Sequence, residues 1–179
     1  MLERKRTLLI VTDIQGNLAS LMFKREELFN NIGDMIEGVK ELGIPILWVE
    51  QYPKGLGRTV REVEIHLEGY EPLPKKTFSS LRDPVINKRF NEFGKNQVIL
   101  TGIETHVCIH QTAMDLLARG IETHIVADAV SSRTEFNKLI ALEKLARAGA
   151  CITSVETALF ELLEVAEGEA FKEILRLVK

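Results

Sequence analysis

The chain has 179 residues, of which 45% are hydrophobic, enough for one domain with a sizeable core and too apolar for intrinsic disorder. Its formal net charge of -3 argues against a surface built for nucleic acid or for an anionic membrane. No apolar run approaches the ~20 residues that span a bilayer. The basic run Arg4-Lys5-Arg6 is followed by an apolar stretch too short for a secretory signal, and Asp13 ends it without a small-residue cleavage site. We therefore expect a cytoplasmic protein forming a single domain over 1–179, with Cys108 and Cys151 as reduced thiols.

Taken in order, Thr7 to Thr12 reads as a buried strand. Apolar residues at Leu28, Ile32, Met35, Ile36, Val39 and Leu42 carry helical spacing from Arg25, with Gly43 as the stop. Ile44 to Val49 forms a second strand, with Pro45 tolerated near its start. From Gln51 to Pro74 the chain is rich in Gly, Pro and charge and reads as a long loop, the kind that forms a lid or pocket wall. A short strand follows near Glu71 to Lys75. Asp83 and Pro84 are an N-cap and first helical residue, opening a helix to about Phe93. Gln97 to Thr101 is a strand ending at Gly102, and a helix runs from about Thr105 to Ala118. Glu122 to Ala127 is a strand, Thr134 to Ala148 a helix and Ala150 to Thr153 a last strand. Helical stretches close the chain over about 155–164 and 168–177.

Strands alternating with helices predict βαβ units. The fold class is α/β, a three-layer αβα Rossmann-like arrangement with a mostly parallel sheet of about six strands in the order 3-2-1-4-5-6. In such sheets ligands bind beyond the carboxyl ends of the strands. Asp13, Gln51, Lys76 and the segment Gly102 to Cys108 all fall on that edge.

Cys108 stands in the first turn of a helix. There the helix dipole and free N–H groups would lower a thiol from its ordinary pKa of ~8.5 and activate it as a nucleophile. An inert, buried thiol is the competing reading. Asp13, directly after an apolar strand, needs a partner if buried, and so is a proton acceptor, a metal ligand or a loop cap. Lys76, if it points inward, would stabilise both Asp13 and a thiolate; otherwise it is solvated. His106 lies two residues before Cys108, a spacing that does not face the two side chains toward each other on a helix. His110 and His124 read as ordinary helix and strand positions, and Cys151 as core.

Four stretches together resemble the isochorismatase-like, or cysteine hydrolase, superfamily: Leu9 to Gln15, Lys76 to Ser80, Gly102 to Cys108, and Asp128 to Arg133. The similarity is closest to small single-domain members of uncertain substrate. The resemblance implies a triad of Asp13, Lys76 and Cys108. Asp13 would take the thiol proton, Cys108 would attack a carbonyl carbon to form a thioester, and Lys76 would hold the charges in place. It also implies a cis peptide between Ile103 and Glu104, an oxyanion hole made by the backbone N–H groups of Glu104 and Cys108, and substrate contacts at Gln15, Gln51 and Thr105. Nicotinamidases of this superfamily carry an Asp-x-His metal motif with a further histidine after the second strand. This chain has neither, so no metal is expected. True isochorismatases lack a catalytic cysteine, so Cys108 points away from isochorismate.

The resemblance thus implies a metal-independent, amidase-type hydrolase of a small molecule, with no cofactor and no nucleic-acid or membrane partner. The family also implies a homo-oligomer. A non-catalytic or redox-sensing thiol protein on the same fold is the alternative. A dinucleotide-binding module is disfavoured, because no GxGxxG follows the first strand and no Walker A motif occurs.

Overall fold

A computed structural model describes residues 1–179. In chain order the elements are β1 (Thr7–Thr12), α1 (Gly16–Ser20), α2 (Arg25–Glu41), β2 (Ile46–Gln51), α3 (Pro53–Leu56), α4 (Arg61–Glu64), β3 (Leu73–Lys75), α5 (Pro84–Phe93) and β4 (Gln97–Ile103). They continue with α6 (His110–Ala118), β5 (Glu122–Ser131), α7 (Glu135–Arg147), β6 (Cys151–Thr153), α8 (Val155–Leu163) and α9 (Gly168–Leu177). The six strands form one parallel sheet in the order β3-β2-β1-β4-β5-β6, as the sequence predicts.

β1 is buried along its whole length because both faces of the sheet are covered. Leu9 and Val11 pack into one apolar cluster with α2, α8 and α9. Leu8 and Ile10 point the other way, into a second cluster with α5, α6 and α7. Phe160, Phe171 and Val178 pack against the first cluster, so the C-terminal helices close that side of the domain. No helix is long and apolar enough to cross a membrane.

Several boundaries differ from the sequence reading. The Gln51–Pro74 stretch is not a structureless loop: it holds α3, α4 and a 3-10 turn at Ile65–Leu67. Val63 and Leu67 from it are fully buried, which supplies the apolar contact that short helices need. The short helix α1 has too few apolar residues to show a period and is absent from the sequence reading. Cys151 is exposed rather than core, because β6 is the sheet's edge and only three residues long. Asp83 does cap α5, its side chain accepting from the N–H groups of Val85 and Ile86.

The register of β1 and β4 positions the candidate site. Thr12 pairs with Gly102, so the two strands end together. Gly102 has φ +134, and a Cβ there would lie 2.1 Å from the carbonyl oxygen of Thr12. Only glycine permits that close approach. It brings Asp13, one residue past β1, beside the turn that carries Cys108.

Candidate active site

Asp13 leaves β1 in the left-handed region, with φ 62, and its N–H donates to the carbonyl of Val49 on β2. Aspartate tolerates this conformation better than most residues. Its carboxylate is buried, and Oδ2 accepts from Lys75 Nζ at 2.7 Å. The Lys75 side chain is fully buried and also donates to Gln51 Oε1 at 2.5 Å.

The lysine at the site is thus Lys75, not Lys76. In β3 side chains alternate faces, and the parallel pairing of Gln51 with Lys75 turns Lys75 inward. Lys76 is exposed, with Nζ 5.9 Å from the centre of the Tyr52 ring. Two adjacent lysines are alike in composition, and a one-residue change of register exchanges their faces.

Cys108 lies in a π-helical turn, Thr105–Ile109, that runs directly into α6. Such turns recur at functional sites. The thiol is buried, and burial pushes its pKa well up, with the Asp13 charge adding to the effect and Lys75 opposing it. This reverses the depressed pKa that the helix position predicts. A dipole effect that fades within one turn does not offset removal of the thiolate from water.

Asp13 is also raised, first by its own burial, against the lowering pull of Lys75 and of the Cys108 thiol. Its second oxygen, Oδ1, has no hydrogen bond fully formed, although the thiol is near enough for each group to shift the other's ionisation. Lys75, Asp13 and Cys108 therefore form one coupled, water-poor cluster holding an acceptor oxygen with no other demand on it.

The peptide bond between Ile103 and Glu104 is trans, as are all others, which corrects the expected cis bond. The chain turns instead at Glu104 itself, with φ 55 and ψ 59. A non-glycine residue in this conformation is strained and persists where neighbours enforce it. The neighbours here are Arg133, whose Nε lies 3.2 Å from Glu104 Oε1, and His106, whose Nε2 lies 3.5 Å from Oε2. The Arg133 backbone N–H also donates to Oε1.

Gln15 is not available to a substrate. It is fully buried, Nε2 donates to the carbonyls of Gln51 and Gly57, and Oε1 accepts from the Gln51 N–H. It ties the 51–59 segment to β1. Gln51 is half-buried, with its oxygen held by Lys75 and Nε2 donating to the Lys76 carbonyl. Thr105 is buried at the first position of the turn that carries Cys108, and its hydroxyl has no partner.

Sequence reasoning missed Lys75 and also Glu50, a buried carboxylate that raises Asp13 and is itself held by the N–H and hydroxyl of Thr59. The signal for Lys75 was its place at the last position of a strand beside Gln51. No group of three or more His, Cys, Asp or Glu side chains is placed to hold a metal ion.

The isochorismatase domain model matches residues 7–157 of the chain. The chain belongs to the isochorismatase family. Isochorismatase domain-containing protein 2 of Danio rerio is 39% identical over 177 residues, covering 99% of this chain and 89% of that protein. Isochorismatase domain-containing protein 1 of the same fish is 47% identical over 146 residues, covering 81% of this chain. There the chain spans only 51% of the relative's length, and the same holds for the related salmon protein.

Among solved structures of this family, one described as the MAR1 ribonuclease of Caenorhabditis elegans superposes with a TM-score of 0.91 at 35% identity, covering 99% of this chain and 91% of that one. YcaC from Pseudomonas aeruginosa superposes with a TM-score of 0.92 at 21% identity, covering 98% and 90% of the two chains, which shows the shared fold alone.

Proposed function

We propose that this isochorismatase-family chain is a cysteine hydrolase that cleaves an amide-type C–N bond of a small molecule through a thioester. The observation that carries this reading is the buried Lys75–Asp13 pair, whose second carboxylate oxygen has no hydrogen-bond partner and whose charge acts on the Cys108 thiol.

A raised thiol is neutral at rest, so the nucleophile has to lose its proton during attack. Asp13 takes that proton as Sγ bonds to the carbonyl carbon, and the carbonyl oxygen becomes the oxyanion. The backbone N–H groups of Glu104 and Cys108 are assigned to that oxyanion, where one donor is worth ~3–4 kcal/mol. Collapse breaks the C–N bond, and Asp13 returns the proton to the departing nitrogen. Water then attacks the thioester while giving its proton to Asp13. The C–S bond breaks, and the sulfur recovers the proton. Lys75 stays charged throughout and holds Asp13 in place. Gln51 keeps Lys75 aimed, and the unpartnered hydroxyl of Thr105 is assigned to the substrate. No step calls for a metal or an organic cofactor.

Two alternatives have less support. A redox-sensing thiol works best exposed and acidic, and Cys108 is neither. The ribonuclease description of the worm relative carries over poorly, since the net charge here is -3 and a nucleic-acid surface needs a basic stripe. Assembly into a homo-oligomer is part of the proposal. It draws on the fold neighbour from Escherichia coli described as an octameric hydrolase, and light scattering on the purified chain tests it.

The test of the reaction is ammonia release from a panel of small primary amides, with mass spectrometry of acid-quenched protein. The expected result is turnover that Cys108→Ala abolishes, and an acyl adduct on the peptide containing Cys108. Turnover that persists in Cys108→Ala overturns the assignment.

A further inference from the structure

A cavity of about 640 Å³ opens on the carboxyl edge of β2 and β3, lined by Tyr52, Lys54, Lys75, Lys76, Thr77 and Asp83. This volume is in the range that holds a small ligand. The cavity adjoins the reactive cluster through Lys75, which both lines it and reaches Asp13 with its Nζ.

Its charge is one-sided. Lys75 is neutralised by Asp13, but Lys54 and Lys76 have no carboxylate within salt-bridge distance. The single acid on the wall, Asp83, is engaged by the N-terminus of α5, where it accepts from two backbone N–H groups. Two lysines that form no ion pair therefore line the cavity, against one carboxylate that is already engaged by backbone N–H groups.

Tyr52 is held in an unusual way beside them. Its backbone is left-handed, with φ 36, a conformation rare for a bulky side chain. The Tyr52 N–H donates to the Lys75 carbonyl, so the strain is tied to the same strand end that supplies the buried lysine. The ring lies against Gly55, where any Cβ would come within 2.4 Å of it, and Lys76 stands over the ring. A half-exposed aromatic ring packed against Gly55, with Lys76 over its face, is a built platform rather than a solvated loop residue.

We infer that this cavity binds a small organic anion, with Lys54 and Lys76 taking its carboxylate over the Tyr52 ring, and that the substrate therefore carries an anionic group at its non-reacting end. The second half of this statement rests on the hydrolase reading; the anion site itself does not.

The test compares succinamate, an amide bearing a carboxylate, with butyramide, its neutral counterpart. Each is titrated into 15N-labelled Cys108→Ala protein, following the amide resonances of Tyr52, Lys54 and Lys76. Succinamate is expected to give saturable shifts at these residues and butyramide none over the same range. In the double variant Lys54→Gln, Lys76→Gln, binding is expected to weaken about tenfold, the sum of two exposed charge contacts. Equal shifts with both compounds, no shifts with succinamate, or unchanged binding in the double variant overturns the inference. Succinate titrated into the wild-type protein gives the same readout without relying on the Cys108 variant. Saturable succinamate shifts in a chain that hydrolyses no amide would sink the reaction and keep the anion site. Turnover indifferent to the carboxylate, with no shifts, would do the reverse.

Discussion

At the scale of residues, the site depends on a buried charge pair whose members cannot be separated cheaply. Asp13 and Lys75 are both out of water, and each is tolerable there because the other is 2.7 Å away. Lys75→Met leaves a bare buried carboxylate and is expected to cost about 3–5 kcal/mol in urea unfolding. Lys76→Met, at an exposed position, is expected to stay within about 0.5 kcal/mol of wild type. The double variant Asp13→Asn, Lys75→Met removes both charges and is expected to regain most of that stability while releasing no ammonia. A double variant as unstable as Lys75→Met alone would show that the pair does not act as a unit. Sequence reasoning located Asp13 and Cys108 at the sheet edge, but it chose the neighbouring lysine. Composition does not separate Lys75 from Lys76; only the pairing of β3 with β2 does. Gln15 shows a similar limit: a polar side chain near an active edge reads as a ligand contact until its hydrogen bonds to Gln51 and Gly57 are seen.

At the scale of elements, two strand ends and one turn bring the groups together. β1 and β4 finish side by side because Gly102 lets their backbones close up. Gly102→Ala is expected to lose about 2–5 kcal/mol, from φ strain and a clash with backbone that cannot move aside. Asp83→Ala, by contrast, removes only a helix cap and is expected to cost about 1 kcal/mol. Thermal unfolding of the two variants separates these sizes. The strands and longer helices were legible because their periods are strong, and the Asp83-Pro84 start of α5 follows from cap chemistry alone. The 51–74 segment was not, because α3 and α4 have only four residues each and depend on contacts distant in sequence. The π-helical form of the Cys108 turn leaves no mark in the sequence, whose spacing fits an α-helix equally well.

For the whole molecule, the parallel, doubly covered sheet follows from the alternation of elements, and its edge holds Asp13, Lys75 and Cys108 out of water. The consequence is a pH dependence opposite to that of an ordinary surface carboxylate. Asp13 keeps its proton above its usual 3.8 in the folded chain, so over that window the native state binds more protons than the unfolded one. Its contribution to stability therefore falls as pH rises through the window. Wild type is expected to lose stability relative to Asp13→Asn as pH is stepped upward from about 4. The proposed reaction needs Asp13 ionised, so turnover is expected to rise over the same interval.

The most direct measurement is the rate of Cys108 alkylation by iodoacetamide against pH, in a Cys151→Ser background with and without Asp13→Asn. If Asp13 is the base for a neutral thiol, the wild-type midpoint lies above the ordinary ~8.5. Asp13→Asn then lowers that midpoint, since its charge is one of the causes that raise the thiol, while amide turnover is lost. A wild-type midpoint at or below ~8.5, or one that Asp13→Asn leaves unmoved, would contradict the shared-proton site.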